Sequence, residues 1–391
     1  MTKIEATFEV VTPMFCGDGE NTVSASLRPL SIKGLLRFHF RAVAFRLLKG
    51  DLQKILNFES KIFGSTKGIG LLRIRTELLN EGKAVSANSV LNLASGKVVG
   101  EGVRYLGYGL MGAFGANEGR LTRPCLDGVE FSLHLTLRED DKTCITLLHY
   151  TMLSIAICGS LGARSRKGFG SLSLKSLKIA DKEEKVEQVF KWPALLAKEF
   201  ENQLSYPDYT AWSSQSRVIK VEGGSSALEI MNTIGKAMMH YRSFGRDGQV
   251  LGVPALKKFQ VDHDLMHSAH DSKVEDIPRR SAFGLPHKYF FTSIQNCSRD
   301  FGAKPENHER RASPLFIKVI KVDGQYFGLL SFLPAQFLPD GERIVVHNRA
   351  RIQGGKSTGN LSQFYTPVSQ FLEFIGSGES EFTRGYTVRA L

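Results

Sequence analysis

Strict alternation of apolar and polar side chains marks the first strand, where Ile4, Ala6, Phe8 and Val10 interleave with Glu5, Thr7 and Glu9. The same period of two returns at Leu72, Ile74, Thr76 and Leu78, at Phe131, Leu133, Leu135 and Leu137, and from Ser171 to about Ile179. Two stretches break that period. Leu27–Gly50 and Thr146–Cys158 are apolar on most sides and predict buried helices. Residues 58–65 (FESKIFGS) close the first helical region on a glycine turn, and residues 80–100 read as a hairpin or loop. The first half therefore runs strand, helix, strand, strand, helix, strand, the order of a ferredoxin-like unit. A looser copy follows: a strand at Val218–Val221 and a helix at Ala227–Tyr241. Two strands, Ser313–Val322 and Tyr326–Phe332, turn around Asp323-Gly324, and a short helix closes at Gln370–Ile375.

The fold class expected is thus α+β, with two tandem ferredoxin-like (RRM-like) domains, the second more divergent and carrying insertions. Residues 1–180 form the first domain, 181–212 a helical connector and 213–391 the second. A chain of 391 residues exceeds what one hydrophobic core normally serves, which agrees with that division. The formal charge of +12 favours an anionic partner. No apolar run reaches the length of a membrane span, and MTKIEATFEVV lacks the layout of a signal peptide. Cys16, Cys125, Cys144, Cys158 and Cys297 are odd in number and scattered, which fits reduced thiols in a cytoplasmic setting rather than a structural zinc site. No cofactor and no membrane contact are expected.

The charge is not spread evenly. From Asn21 to Gly50 there is no Asp or Glu, while Arg28, Lys33, Arg37, Arg41, Arg46 and Lys49 interrupt the apolar residues. Lys33, Arg37 and Arg41 follow one another at four-residue steps, about 40° apart around a helix, and predict a cationic ridge. Ser31 stands where an N-cap is expected, and Gly34 where another chain could approach closely. A second basic element is residues 159–171, GSLGARSRKGFGS, in which Gly162 and Gly168 flank Arg164, Arg166 and Lys167. Glycines there can offer backbone N–H groups and the cations can neutralise phosphates. The loop follows a helix and precedes a strand, the reverse of a Walker A loop, so nucleotide hydrolysis is not expected. Residues 100–119 add Tyr105 and Tyr108 in a glycine-rich setting suited to stacking on bases. Arg279-Arg280 and Arg310-Arg311 extend the possible track. A rival site is DHDLMHSAHD, where His263, His267 and Asp271 have spacing that suits a metal ion. His39, His134 and His149 are the histidines of the first half, and their spacing selects none as a general base.

TPMFCGDG, LRPLSIKGLLRFHFRA, FESKIFGS and GARSRKGFGSL, in this order, resemble RAMP-superfamily CRISPR proteins, and within them the first-subunit family of the type III-B Cmr effector. Ala282–Pro286 (AFGLP) and Arg311–Leu315 (RASPL) continue the likeness into the second half. His39 departs from it, since family members usually carry an aromatic residue there. The resemblance implies a non-catalytic subunit of a guide-RNA-directed complex that binds crRNA and target RNA beside other Cmr subunits. It would contact the 3′ part of the guide and the 5′ part of the target. The repeated backbone subunit cuts with a loop Asp, for which Asp18 is a weak counterpart here. Two alternatives stay open: a metal-independent endoribonuclease acting on guide RNA, and a purely structural assembly subunit.

Overall fold

A computed structural model describes residues 1–17, 24–93, 96–112, 115–192, 206–295 and 297–391. Asp18 and much of the expected connector (193–205) lie outside the described residues.

In the first half, β1 (Thr2–Val10), α1 (Pro29–Leu47), α2 (Leu52–Phe63), β2 (Leu72–Asn80), α3 (Glu101–Leu106), β3 (Glu130–Leu137), α4 (Lys142–Cys158), β4 (Leu172–Ile179) and β5 (Lys182–Glu184) follow in order. The strands form one antiparallel sheet in the order β2-β3-β1-β4-β5. The alternating residues do what their period demands. Ile4, Ala6, Phe8 and Val10 of β1 and Phe131, Leu133, Leu135 and Leu137 of β3 all turn inward, with Phe8 opposite Phe131 and their rings 5.7 Å apart. Helices α1 and α4 cover that face. Asp51 caps α2 and Asp141 caps α4 through side-chain oxygens that accept from Lys54 and Cys144 N–H. Helix α1 begins differently from expectation. Pro29 opens it and Arg28 is the N-cap, without a side-chain bond, so Ser31 sits inside the first turn. Pro29 at the first helical position suits a helix start, and a helix that begins two residues before Ser31 leaves that residue at the third helical position rather than at the cap. Gly34 has no neighbour within 4 Å of where a Cβ would stand, so no chain approaches it closely.

The second half contributes β6 (Arg217–Gly224), α5 (Ala227–Arg242), α6 (Gln260–Ser268), β7 (His287–Lys288), β8 (Phe301–Pro305), β9 (Leu315–Val322), β10 (Gln325–Phe332), β11 (Ile344–Asn348), β12 (Arg351–Lys356), α7 (Thr366–Gly376) and β13 (Thr387–Ala390). Strands β9-β10-β6-β13 make an antiparallel sheet, and β7-β8-β11-β12 make another from the inserted segments. Labelled by their place in each sheet, both main sheets share the strand order second, third, first, fourth, to which the first sheet adds β5 at its edge.

The halves share more than a linker. Residues 85–125 and Phe169 pack with the second half: Val99, Val103, Leu106, Met111 and Phe169 share one apolar cluster with Ile230, Met231, Ile234 and Ile317. Residues 100–112 of the glycine-rich segment thus serve as a docking element. Helix α3 crosses α5 so closely that a Cβ on Gly102 would lie 2.0 Å from the Asn232 carbonyl oxygen, and one on Gly235 2.2 Å from that of Gly102. Gly102 N–H also donates to Asn232 Oδ1 at 3.1 Å. Alongside, β9 lies against β4 through serine hydroxyls. Ser171 Oγ accepts from Val319 N–H at 3.0 Å, and Ser173 Oγ accepts from Lys321 N–H at 2.9 Å. Strand β9 is therefore covered on both faces, which is why its residues 315–320 are all buried. One of them is Lys318, fully buried, whose Nζ donates to the Ile155 and Ala156 carbonyls in the last turn of α4 at 2.7 and 2.6 Å.

Candidate nucleic-acid interface

The ridge on α1 is largely spoken for by one carboxylate. Glu59 of α2 accepts from Arg37 Nε at 2.7 Å and from Arg41 Nε and Nη2 at 2.7 Å each. Burial pushes the Glu59 carboxyl up, but the hydrogen bonds and charges of Arg41 and Arg37 outweigh it and hold it below its ordinary value. Two of the three ridge cations thus share an acid that lies far enough along the chain to escape a local scan of charge. Lys33 is half-buried, and Arg28 is exposed near Cys16. Replacing Glu59 by Gln is expected to lower stability by roughly 1–3 kcal/mol, since it strips two part-buried guanidinium groups of their counter-charge. Urea unfolding of the variant beside the parent measures this.

The ridge and the glycine-rich loop do not face each other as two walls of one groove. The face of α1 that meets the loop carries Leu35, Phe38 and His39, while Arg37 and Arg41 turn toward α2. Arg166 points into this seam. Its guanidinium stands over Phe316 at 4.4 Å and Phe38 at 5.3 Å, and Nη1 donates to the Ser313 carbonyl at 2.6 Å. The loop's backbone is also less available than its glycines suggest. Ala163 N–H donates to Phe15, Lys167 N–H to Arg164 and Gly170 N–H to Pro13. Gly162 takes a φ of +86°, and a Cβ there would come within 2.7 Å of the Phe15 carbonyl oxygen. The glycines hold the loop against the strand-end segment 12–16, so any anion is met by side chains.

Those side chains do converge, on a different partner. A cavity of about 630 Å³ is lined by Tyr108, Arg123, Arg164, Arg166, Lys167 and Arg310, with Gly109, Leu110, Ala163, Ser165, Ala312 and Ser313 completing the wall. No carboxylate is among its described lining residues. Their proximity is visible in their acidity. Burial and the charges of Arg242, Arg164 and Arg166 bring the Lys167 ammonium down to about 7. Burial and Arg310 lower Arg164, and burial and Arg311 lower Arg166 to about 10. Cations crowded without an acid repel one another, and an incoming phosphate relieves that repulsion. The RASPL segment lines the cavity with Ala312 and Ser313 and is tied to AFGLP, since Leu285 and Arg311 exchange two backbone hydrogen bonds, at 2.8 and 3.1 Å. Arg123 and Arg242 carried no local sequence signal, because each lies in an unremarkable polar context and only the fold brings it to the loop.

The remaining candidates divide between exposed and structural. Tyr108 is 66% exposed at the cavity rim, its carbonyl accepting from Arg164. Tyr105 is half-buried with its hydroxyl accepting from Arg242 Nη1 at 2.9 Å, so its ring is not free to stack. Arg310 is exposed and Arg279 has an exposed side chain. Arg280 and Arg311 are structural: Arg280 Nε lies 3.4 Å from buried Asp262 with its guanidinium 4.9 Å above the Tyr289 ring, and Arg311 Nη2 donates to the Gln336 carbonyl at 2.9 Å. Asp262 also accepts from the backbone N–H groups of Arg279 and Arg280. The metal reading of the neighbouring segment is not supported by its geometry. The His263 ring stacks on Phe244 at 3.8 Å, His267 packs edge-on to Phe291, and Asp271 pairs with His270 at 2.6 Å. Among the described residues no three His, Cys, Asp or Glu side chains gather as a metal set. His39 is buried, its Nδ1 2.8 Å from Ser154 Oγ, and burial with the charges of Lys318 and Arg166 brings it down to about 3. The five cysteines are free thiols.

The sequence pattern of the RAMP superfamily matches residues 7–173. Residues 7–173 thus resemble a RAMP domain. The chain is 26% identical over 318 residues to the CRISPR system Cmr subunit Cmr1-1 of Pyrococcus furiosus, covering 80% of this chain and 82% of that protein. It is also 26% identical over 183 residues to Cmr1-2 of the same organism, across 44% of this chain and 94% of that one. In three dimensions it superposes on the crystal structure of Pyrococcus furiosus Cmr1 (apo form) with a TM-score of 0.52 at 20% identity, over 100% of this chain and 98% of that one. The two halves together thus share the fold of that structure, mixed α/β with antiparallel sheets. The glycine-rich loop that lines the cavity lies within the matched RAMP segment, and Arg310 and Ser313 lie beyond it.

Proposed function

We propose that this chain is a non-catalytic RNA-binding subunit of a crRNA-guided type III-B CRISPR (Cmr) effector complex, acting in the cytoplasm beside other Cmr subunits. Its two halves, 1–180 and 213–391 around a connector at 181–212, are tandem ferredoxin-like RAMP domains, as the shared strand order supports. The observation that carries the RNA assignment is the carboxylate-free cavity where Arg123, Arg164, Lys167 and Arg310 converge at the junction of the halves. Phosphodiester oxygens suit such a set, and exposed Tyr108 at its rim suits stacking on a base. Kinship to Cmr1-1 supports the assembly, with the 3′ part of the guide or the 5′ part of the target as the strand held. No described helix is long and apolar enough to cross a membrane.

The test uses the full chain and a labelled single-stranded RNA of about ten nucleotides, with anisotropy read across a salt series. Log Kd should change with log salt with a slope of about 0.7 per phosphate neutralised. Binding that is absent, or indifferent to salt, would overturn the proposal. Cleavage of the probe by purified protein would overturn its non-catalytic part.

A further inference from the structure

Beside the basic cavity lies a second, smaller one that the phosphate-binding role leaves unused. We propose that it receives a single unstacked nucleobase from the bound strand, a reading that rests on the basic cavity being the RNA site. The pocket has a volume of about 190 Å³ and shares Ser165 and Arg166 with the basic cavity. A strand whose phosphates lie in one can therefore turn a base into the other. Beside Leu35, His39 and Cys158, its walls include π surfaces. Phe38 from α1 and Phe316 from β9 have centroids 6.1 Å apart at 44°, and the Arg166 guanidinium stands over both. Arg166 is itself oriented by its bond to the Ser313 carbonyl, so the plane is fixed before any ligand arrives.

The polar complement points the same way. Ser160 lines the pocket at 7% exposure, and its Oγ has no hydrogen-bond partner among the described residues. A buried hydroxyl without a partner is unfavourable and is satisfied by a ligand that carries donors or acceptors on its rim. Size narrows the class. Sites for drug-sized molecules occupy ~300–1,000 Å³, so this pocket suits one heterocycle rather than a whole nucleotide. An aliphatic chain would leave the Ser160 hydroxyl unmet, and a phosphate would gain nothing from two phenyl faces. A planar ring with a hydrogen-bonding edge uses all of them.

The experiment scans a single abasic site along the same oligoribonucleotide of about ten residues, with the full chain and anisotropy as readout. One position is expected to lose about 10- to 100-fold in affinity when its base is removed. In Phe38→Leu, which keeps the apolar bulk of α1 and removes the π face, that penalty should shrink toward nothing while the salt slope stays unchanged. A 2-aminopurine placed at the sensitive position should change emission on binding to the parent and not to Phe38→Leu. If every abasic RNA binds the parent as tightly as intact RNA, the base pocket is wrong although the cavity stands. If Arg164→Ala with Arg310→Ala leaves RNA affinity unchanged, the cavity assignment itself is wrong. Abasic RNA needs no variant, so this test does not depend on any substitution folding.

Discussion

Joint replacement of Arg164 and Arg310 by alanine is expected to weaken single-stranded RNA binding about 10- to 100-fold near physiological salt. Each removes one hydrogen-bonded contact, worth roughly 0.5–1.5 kcal/mol net. The slope of log Kd against log salt should fall by about 1.4, two phosphates at about 0.7 each. Arg37→Ala with Arg41→Ala removes the same formal charge but should do less, because Glu59 already offsets much of that pair. The comparison separates the cavity from overall charge, since both variants have equal net charge. Stability provides an internal control. Arg164 is lowered by burial and by the charge of Arg310, so removing the pair relieves repulsion, and thermal unfolding should not move downward. Equal losses in the two variants would show that RNA reads only the total charge.

Lys318→Met should change the pH dependence of stability rather than merely its level. Burial brings the Lys318 ammonium down to about 7 from an ordinary 10.5. A base whose folded value lies below its unfolded one is held less favourably when charged. The native chain then binds fewer protons than the unfolded chain between those two values, and stability rises with pH across that window. The penalty is complete below about pH 7 and lifts as pH climbs toward 10.5. The upper bound is about 1.4 kcal/mol per pH unit for one proton. The Ile155 and Ala156 carbonyls at the C-terminal turn of α4 favour the charged form and bring the real slope below that bound. Urea unfolding of parent and Lys318→Met between pH 7 and 9.5 should give curves that diverge, the parent gaining relative to the variant. Parallel curves would show that Lys318 keeps an ordinary acidity despite its burial.

Much of this molecule could be read from local pattern alone. The alternation in β1, β3 and β4 and the apolar run of α4 stated which faces turn inward, because burial of one sheet face imposes a period of two and a covered helix needs apolar residues all round. The hairpin of β9 and β10 was legible at Asp323-Gly324, where φ is positive at both residues. Strand β13 was not legible, since four residues at the chain's end carry too short a pattern. Nor was the role of residues 100–119, whose glycines are equally consistent with a loop and with the close crossing of α3 over α5.

The basic character of α1 and of the loop at 159–171 was set by the sequence itself. Which of those cations remain available was decided by the tertiary structure alone. Charge is local in the chain but its neutralisation is spatial: Glu59 reaches back to Arg37 and Arg41, and Arg166 is drawn into aromatic rings from two different elements. Arg164 and Lys167 instead face Arg123 and Arg310, brought from distant positions to a cavity with no acid in its described lining. Residue types determined that the chain would carry clustered cations, and packing determined which of them face a cavity without a described acid.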